Sequence, residues 1–409
     1  MKRNIFAIII CVFFAVSCNQ DPIFFIISTE TAPLDPLIEG APTNMVVFER
    51  NGTPVMYVAS GRLHWYAKSA ETIIDEEGPE WNLEEYEIPQ PGGRVISLAT
   101  TSEPNRLYAL CLDGHGVNAT LRYIEQDSNE WTAIQNEAGD YPLIQSIYAA
   151  PDQGQLFAGA RRNSVNTATY GILYLDNETD TLKLLKSEVA IFSGAAYKDG
   201  IYYLSTKGDG IFSVSETDFA RIDQLDNSSN PDNKRLLFMS IIKLEDQTII
   251  AVERNGGTLY EVNDGSYEQM KYSGSDRNGE AIATGRFATG AIALWEDRLD
   301  SGNKMLIVGI QGSLYSTATS SYTHGYIEFS LNADGSFNMA TVRRESNQLL
   351  SVSDTDRYAS GLGKHPINHL FQTPYSIDEE RTFFASTQTA GLWSYRNRAE
   401  GGWQWNAEE

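Results

Sequence analysis

Short apolar runs recur along this chain in units of about 50 residues, and that recurrence narrows the folds open to it more than any other feature. One unit opens with Val95-Ile96-Ser97-Leu98-Ala99 and continues as Leu107-Tyr108-Ala109-Leu110-Cys111. A turn leads to Thr120-Leu121-Arg122-Tyr123-Ile124, and Glu130-Trp131-Thr132-Ala133-Ile134 closes the unit. The runs are rich in Val, Ile, Leu, Tyr and Phe and are bounded by Gly, Asn, Asp or Pro, the composition of strands. Beyond the N-terminal residues, no stretch sustains a helical apolar period for more than about two turns, so long helices are not expected.

Aligned by their first runs, the units place Asn44, Ser97, Ser146, Gly194, Ser240, Ala291 and His369 at one equivalent position. All but His369 are small or short polar residues. A four-stranded unit cannot bury both faces alone, whereas units stacked in a ring bury them against each other and protect their edges. The chain is therefore expected to be all-β: a seven-bladed β-propeller of four-stranded antiparallel blades. Small residues at the aligned position fit a place where inner strands converge on an axis. The interval from Ala291 to His369 is the longest. Within it, Arg343–His365 reads as loop rather than an eighth blade, because Leu349-Leu350 is its only apolar pair before Val352.

The N-terminus suggests an address. Lys2 and Arg3 precede an apolar run, Ile5–Val16, too short to span a bilayer and suited to a signal peptide. Ala15-Val16-Ser17-Cys18 follows. The expected organisation is a signal peptide over 1–17, a lipidated Cys18 with a proline-rich tether over 18–42, and the propeller over 43–409. An ordinary secretory signal cleaved near Ser17 is the alternative. Within the tether, Ile23–Ile27 is apolar and is expected to pack on the ring or lie against the membrane. Cys11 falls in the leader and Cys18 would be acylated, so Cys111 alone remains and no intramolecular disulfide can form. Cys111 lies in an apolar strand and reads as a buried, inert thiol.

The net charge of −23 repels nucleic acid and anionic membranes and keeps a secreted domain soluble. The acidic residues do not follow a calcium-loop pattern, and no metal or cofactor is expected. The bases are distributed less evenly. Propeller connectivity puts the second-to-third-strand loops and the blade-linking loops on one face. His115, Arg161, Arg162, Lys207 and Arg254 fall in the former, with Arg62. Arg286 falls in the latter, with Arg94, Lys234, Arg235, Arg343, Arg344 and His365. These residues, with His369 at the axial position, are the candidate binding surface for an acidic partner or anionic ligand. The plainer reading is that Arg and Lys are simply common in loops. His369 is open to two readings, a contact for a ligand in the channel or a hydrogen-bonded structural histidine.

Catalytic motifs give little. The spacing of His365 and His369 binds metal only on a helix, and Pro366 argues against one. There is no nucleophile elbow, zincin motif or P-loop. The lipobox-like Ala15–Cys18 and the repeats from about Asn44 to Trp405 resemble bacterial lipoproteins with a seven-bladed propeller of the NHL or YVTN kind. The lead-in from Ser28 to Val46 is similar to spirochaete propeller lipoproteins. At the third position before the cysteine the family pattern often has Leu, and this chain has Ala15. The resemblance implies a lipid anchor at Cys18, a place in the bacterial cell envelope and a monomeric binding or scaffolding role with an envelope protein partner. The alternative is a periplasmic or surface hydrolase or lyase with its active site at the axial mouth.

Overall fold

A period of four short strands, repeated seven times, builds seven sheets in the computed structural model, and the four strands of each blade follow one another along the chain. The structure describes residues 38, 41–66, 81–83, 93–115, 118–150, 154–162, 169–232, 235–255, 258–270, 287–297, 303–313, 325–345, 362, 365–374, 383–388, 390–398 and 402–408. The expected leader, Cys18, the tether up to residue 37 and Arg286 lie outside them, as does most of the segment between Glu345 and His365.

The inner strands of blades 1 to 7 are Asn44–Arg50, Arg94–Ser102, Leu143–Ala149, Phe192–Lys198, Phe238–Lys243, Phe287–Asp297 and Ile367–Gln372. Each begins an antiparallel meander of four strands. Every inner strand touches the inner strands of the blades before and after it, and that of blade 7 touches that of blade 1, which closes the ring. The chain is a seven-bladed β-propeller. Arg343 and Arg344, expected in a blade-linking loop, lie instead in the outer strand of blade 6, Phe337–Glu345, paired with Glu328 and Ile327. Their charge suits the outermost strand of a sheet, where it discourages further pairing.

The core lies between the sheets. The seven apolar clusters found among the described residues each join two adjacent blades. Tyr57, Ala59 and Leu63 of blade 1 pack on Leu98, Ala109 and Cys111 of blade 2. Trp295, Met305 and Ile307 of blade 6 pack on Leu370, Phe383 and Trp405 of blade 7. Each large side chain so buried contributes about 1.5–3 kcal/mol. Two blades are also stitched at their outer edges. Gln135–Asn136, continuing from the outer strand of blade 2, pairs in parallel with the outer strand of blade 3. Asp226–Asn227, continuing from blade 4, does the same for blade 5.

A β-bulge explains the small residues of the aligned position. The register shifts between Val95 and Ser97, Ile144 and Ser146, Phe192 and Gly194, Phe238 and Ser240, and Ile367 and His369. Blade 6 shifts between Thr289 and Ile292. A bulge bends its strand and re-aims the residue that follows. Ser146 Oγ donates to the carbonyl of Phe192 in the next blade at 3.4 Å. In blade 1, which has no bulge, Asn44 accepts from Leu98 N at 2.9 Å and donates to Leu98 O at 2.5 Å. A Cβ on Gly194 would stand 3.1 Å from Ile241 Cγ2 of blade 5. The position is thus set by the gap between adjacent inner strands.

Blades 1 and 7 are each made of one continuous stretch of chain, so no strand is shared where the ring closes. Side chains make that seam. Ile38, Met45, Met56, Val58 and Trp81 meet Phe384 and Leu392. Trp81 stands edge-on to Phe384 with ring centroids 6.1 Å apart. Its Nε1 donates to Glu408 Oε2 at 2.9 Å, while Ser394 Oγ donates to Glu408 Oε1. Glu408 is 1% exposed, and its own N–H donates to Leu392 O at 2.8 Å.

Two predictions follow from this geometry. Glu408→Ala removes the acceptor of two buried donors and should lower unfolding free energy by about 1–3 kcal/mol in a denaturant titration; Glu408→Gln, which keeps an acceptor, should lose less. Gly194→Val should cost about 1–3 kcal/mol by overpacking against Ile241, whereas a Gly139→Ala control, at a site with no neighbour within 4 Å, should not.

Candidate functional site

Antiparallel meanders bring the second-to-third-strand connection of every blade to the face on which the inner strands begin. Three cations take equivalent places there. Ser146 pairs with Gly159, Gly194 with Ser205 and Ser240 with Val252. Two residues further along the chain stand Arg161, at the end of its second strand, and Lys207 and Arg254, each just past one, on the consecutive blades 3, 4 and 5.

Their backbones are pinned. Lys207 N donates to Ile191 O at 2.8 Å, and Arg254 N donates to Leu237 O at 2.9 Å. Gln388 of blade 7 repeats the bond, donating to Pro366 O at 3.0 Å. Lys207 also forms a β-bridge to Leu237 across the blade boundary, so Lys207 and Arg254 flank one residue. Arg254 O in turn accepts from Thr289 N of blade 6 at 2.9 Å. The bridges Gly61 to Val95 and Asn255 to Ala288 repeat this stitch elsewhere on the rim.

Arg162 forms ion pairs with Asp140 at 3.3 Å and Glu188 at 3.9 Å, but Arg161, Lys207 and Arg254 form none among the described residues. Arg161 Nε is buried without a hydrogen-bond partner. Burial, and then the charge of Arg254, hold the Lys207 ammonium below its ordinary pKa. Glu253, beside Arg254 in sequence, is buried; burial pushes its carboxyl up, and Asn255 Nδ2 donates to it at 2.8 Å.

Arg162 belongs to this face, but its ion pairs remove it from the free cations. His115 is exposed in the corresponding turn of blade 2, where its N–H donates to Asp113 Oδ1 at 3.2 Å. His369 lies in the inner strand of blade 7, the bulky member of the aligned position. Its Nδ1 is buried with no hydrogen-bond partner among the described residues. Ser386, its cross-strand neighbour, likewise has a buried Oγ without a partner. Burial lowers the His369 pKa to about 4. Cys111 is buried, and burial pushes its thiol up to about 12, so it is held as an inert thiol.

The opposite face differs in chemistry. A cleft of about 620 Å³ opens there, lined by Glu103, Gln155, Asn177 and Glu216 among others, without a cation. Gly154 in its wall permits close approach, since a Cβ would fall 1.5 Å from Glu103 O.

No family model matches the chain, and no curated protein matches it in sequence. Solved structures match in fold. YCF48 from Cyanidioschyzon merolae aligns with a TM-score of 0.50 at 11% identity, over 89% of this chain and 97% of that one. Virginiamycin B lyase from Staphylococcus aureus aligns with a TM-score of 0.51 at 10% identity, over 87% of this chain and 94% of that one. The extracellular domain of a hybrid two-component system from B. thetaiotaomicron aligns at 0.48 and 13% identity, over 87% of this chain and 39% of that one. At such identities the likeness is one of fold, and the fold carries a lyase as well as other proteins.

His369 supplies a pH prediction. Its folded pKa of about 4 lies below the ordinary 6.5, so the folded state binds the proton less well than the unfolded state. Its neutral form suits folding above pH 6.5, and that stability is lost as pH falls from 6.5 through 4. Melting midpoints measured from pH 7 to 4 should fall more steeply for wild type than for His369→Gln. Parallel curves would show that the imidazole is not buried as described.

Proposed function

We propose that this protein is a membrane-anchored extracytoplasmic binding or scaffolding lipoprotein of the bacterial cell envelope, a monomer that uses the loop face of its propeller to hold an acidic protein partner. The observation that carries the reading is the presence of Arg161, Lys207 and Arg254, without an ion-pair partner among the described residues, on one rim of a chain whose net charge is −23. Three uncompensated cations on a rigid rim cost stability through mutual repulsion, and an acidic partner offsets that cost. Pinned backbones suit recognition, because little ordering is left for the moment of binding. Interfaces are also enriched in Arg as an anchor.

The anchor rests on sequence. Lys2 and Arg3, the apolar Ile5–Val16 and Ala15-Val16-Ser17-Cys18 support cleavage before Cys18 and its acylation. Two or more acyl chains hold a protein stably at a membrane, each buried methylene adding about 0.8 kcal/mol.

Two measurements test the proposal. Expressed with its own leader, the protein should partition into the detergent phase and carry a lipid mass at its N-terminus, and Cys18→Ala should move it to the soluble fraction. Wild-type protein and the triple variant Arg161→Glu, Lys207→Glu, Arg254→Glu should then be compared as baits in envelope extracts, with quantitation of captured proteins. The reading requires an acidic protein retained by wild type and lost by the variant. Identical capture by both would overturn it.

A further inference from the structure

The second-to-third-strand turns of blades 3, 4 and 5 offer more than a diffuse positive surface. We propose that Arg161, Lys207 and Arg254 form one oxyanion subsite that takes a ligand bearing two or more carboxylates, or an equivalent multivalent oxyanion, across three blades. The inference rests on the binding role proposed above and specifies the chemistry of what is bound.

Four observations converge on it. First, the positions are equivalent under the blade repeat, so the three side chains leave the rim from the same place on consecutive blades. Second, their attachment is rigid: Lys207 is bridged to Leu237 and donates its N–H to Ile191 O, Arg254 donates to Leu237 O, and Arg254 is held to blade 6 through Thr289 N. Third, several acids of this face among the described residues have partners other than the three cations, Glu253 accepting from Asn255 Nδ2. Asp140 and Glu188 take Arg162, and Asp209 accepts from Ala190 N at 2.6 Å. Fourth, Arg161 Nε is buried and unsatisfied, a donor already removed from water with no acceptor among the described residues.

A multivalent ligand suits this geometry better than a single small ion. Lys207 and Arg254 flank one residue and can share an anionic group, while Arg161 lies on the preceding blade and meets a second. The guanidinium groups favour planar carboxylates, which accept paired N–H bonds, while the lysine serves as a point charge. Gln311, within the second strand of blade 6, and Gln388, just past that of blade 7, extend the rim with amides that can donate without adding charge. The carboxylates could belong to a free small acid or to an acidic segment of a protein, and one experiment separates these sources.

The full chain, purified in detergent, is titrated calorimetrically at low ionic strength with citrate, inorganic phosphate and hexaglutamate peptide. Binding of citrate or hexaglutamate is expected, with affinity falling as salt is raised. Arg161→Gln combined with Arg254→Gln should weaken it about tenfold or more. Arg221→Gln, which removes an exposed cation on the outer strand of blade 4, should leave it unchanged. Citrate binding without hexaglutamate binding assigns the subsite to a free acid, and tighter hexaglutamate binding assigns it to a partner segment. No heat with any of the three, or equal affinity in the double variant at unchanged melting midpoint, would overturn the subsite. Selective partner capture in the envelope experiment would still stand in that event, so the two failures are distinguishable.

Discussion

A four-stranded sheet with apolar side chains on both faces has no interior of its own, and the molecule follows from that fact. Burial is available only against another sheet, so each blade lends one face to the blade before it and one to the blade after. The clusters uniting Tyr57 with Leu98, or Trp295 with Phe383, are the outcome. The close approach that such packing demands near the axis selects residues without bulk. Gly194 against Ile241 and Ser146 against Phe192 show how little room remains. Stability and shape thus share one cause, and the ring tolerates varied chemistry on its rims because the rims contribute little to it.

Much of this was legible in the sequence, because a strand's apolar composition and its turn residues are local properties. The blade count, the four strands per blade and the loop-face position of Arg161, Lys207 and Arg254 come from counting repeats. Features that depend on contacts between distant segments were not legible. The bulge before Ser97, Ser146 and Gly194 is a property of register, and one strand does not reveal what its neighbour skips. Arg162 reads like Arg161, yet it is neutralised by Asp140 and Glu188, which only folding brings near. Arg343 and Arg344 resemble loop because polar, charged sequence follows them, but an outermost strand tolerates charge as readily as a loop does. His369 was singled out by size alone; the unsatisfied Nδ1 and its lowered pKa are consequences of burial.

The two faces of the ring differ in what they can recognise. The face bearing the second-to-third-strand turns carries cations on pinned backbone, while the cleft on the other face gathers Glu103 and Glu216 with neutral amides. In a chain this acidic, unpaired cations are the rarer commodity, and their placement on consecutive blades is the less expected arrangement. A propeller presents the same backbone position several times around its axis, so a change of side chain at one position in several blades writes a surface without disturbing the fold.

The short parallel strands at the outer edges bear on how the ring comes apart. Gln135–Asn136 ties blade 2 to blade 3, and Asp226–Asn227 ties blade 4 to blade 5, with backbone hydrogen bonds in addition to side-chain packing. Blades 1 and 7 meet through side chains, with Glu408 at the join. Such pairing grades the expected cooperativity around the circle, the doubly tied blades opening together and the join between the first and last blades opening most readily. The ring is a necklace with one clasp and two doubled links rather than seven equal beads.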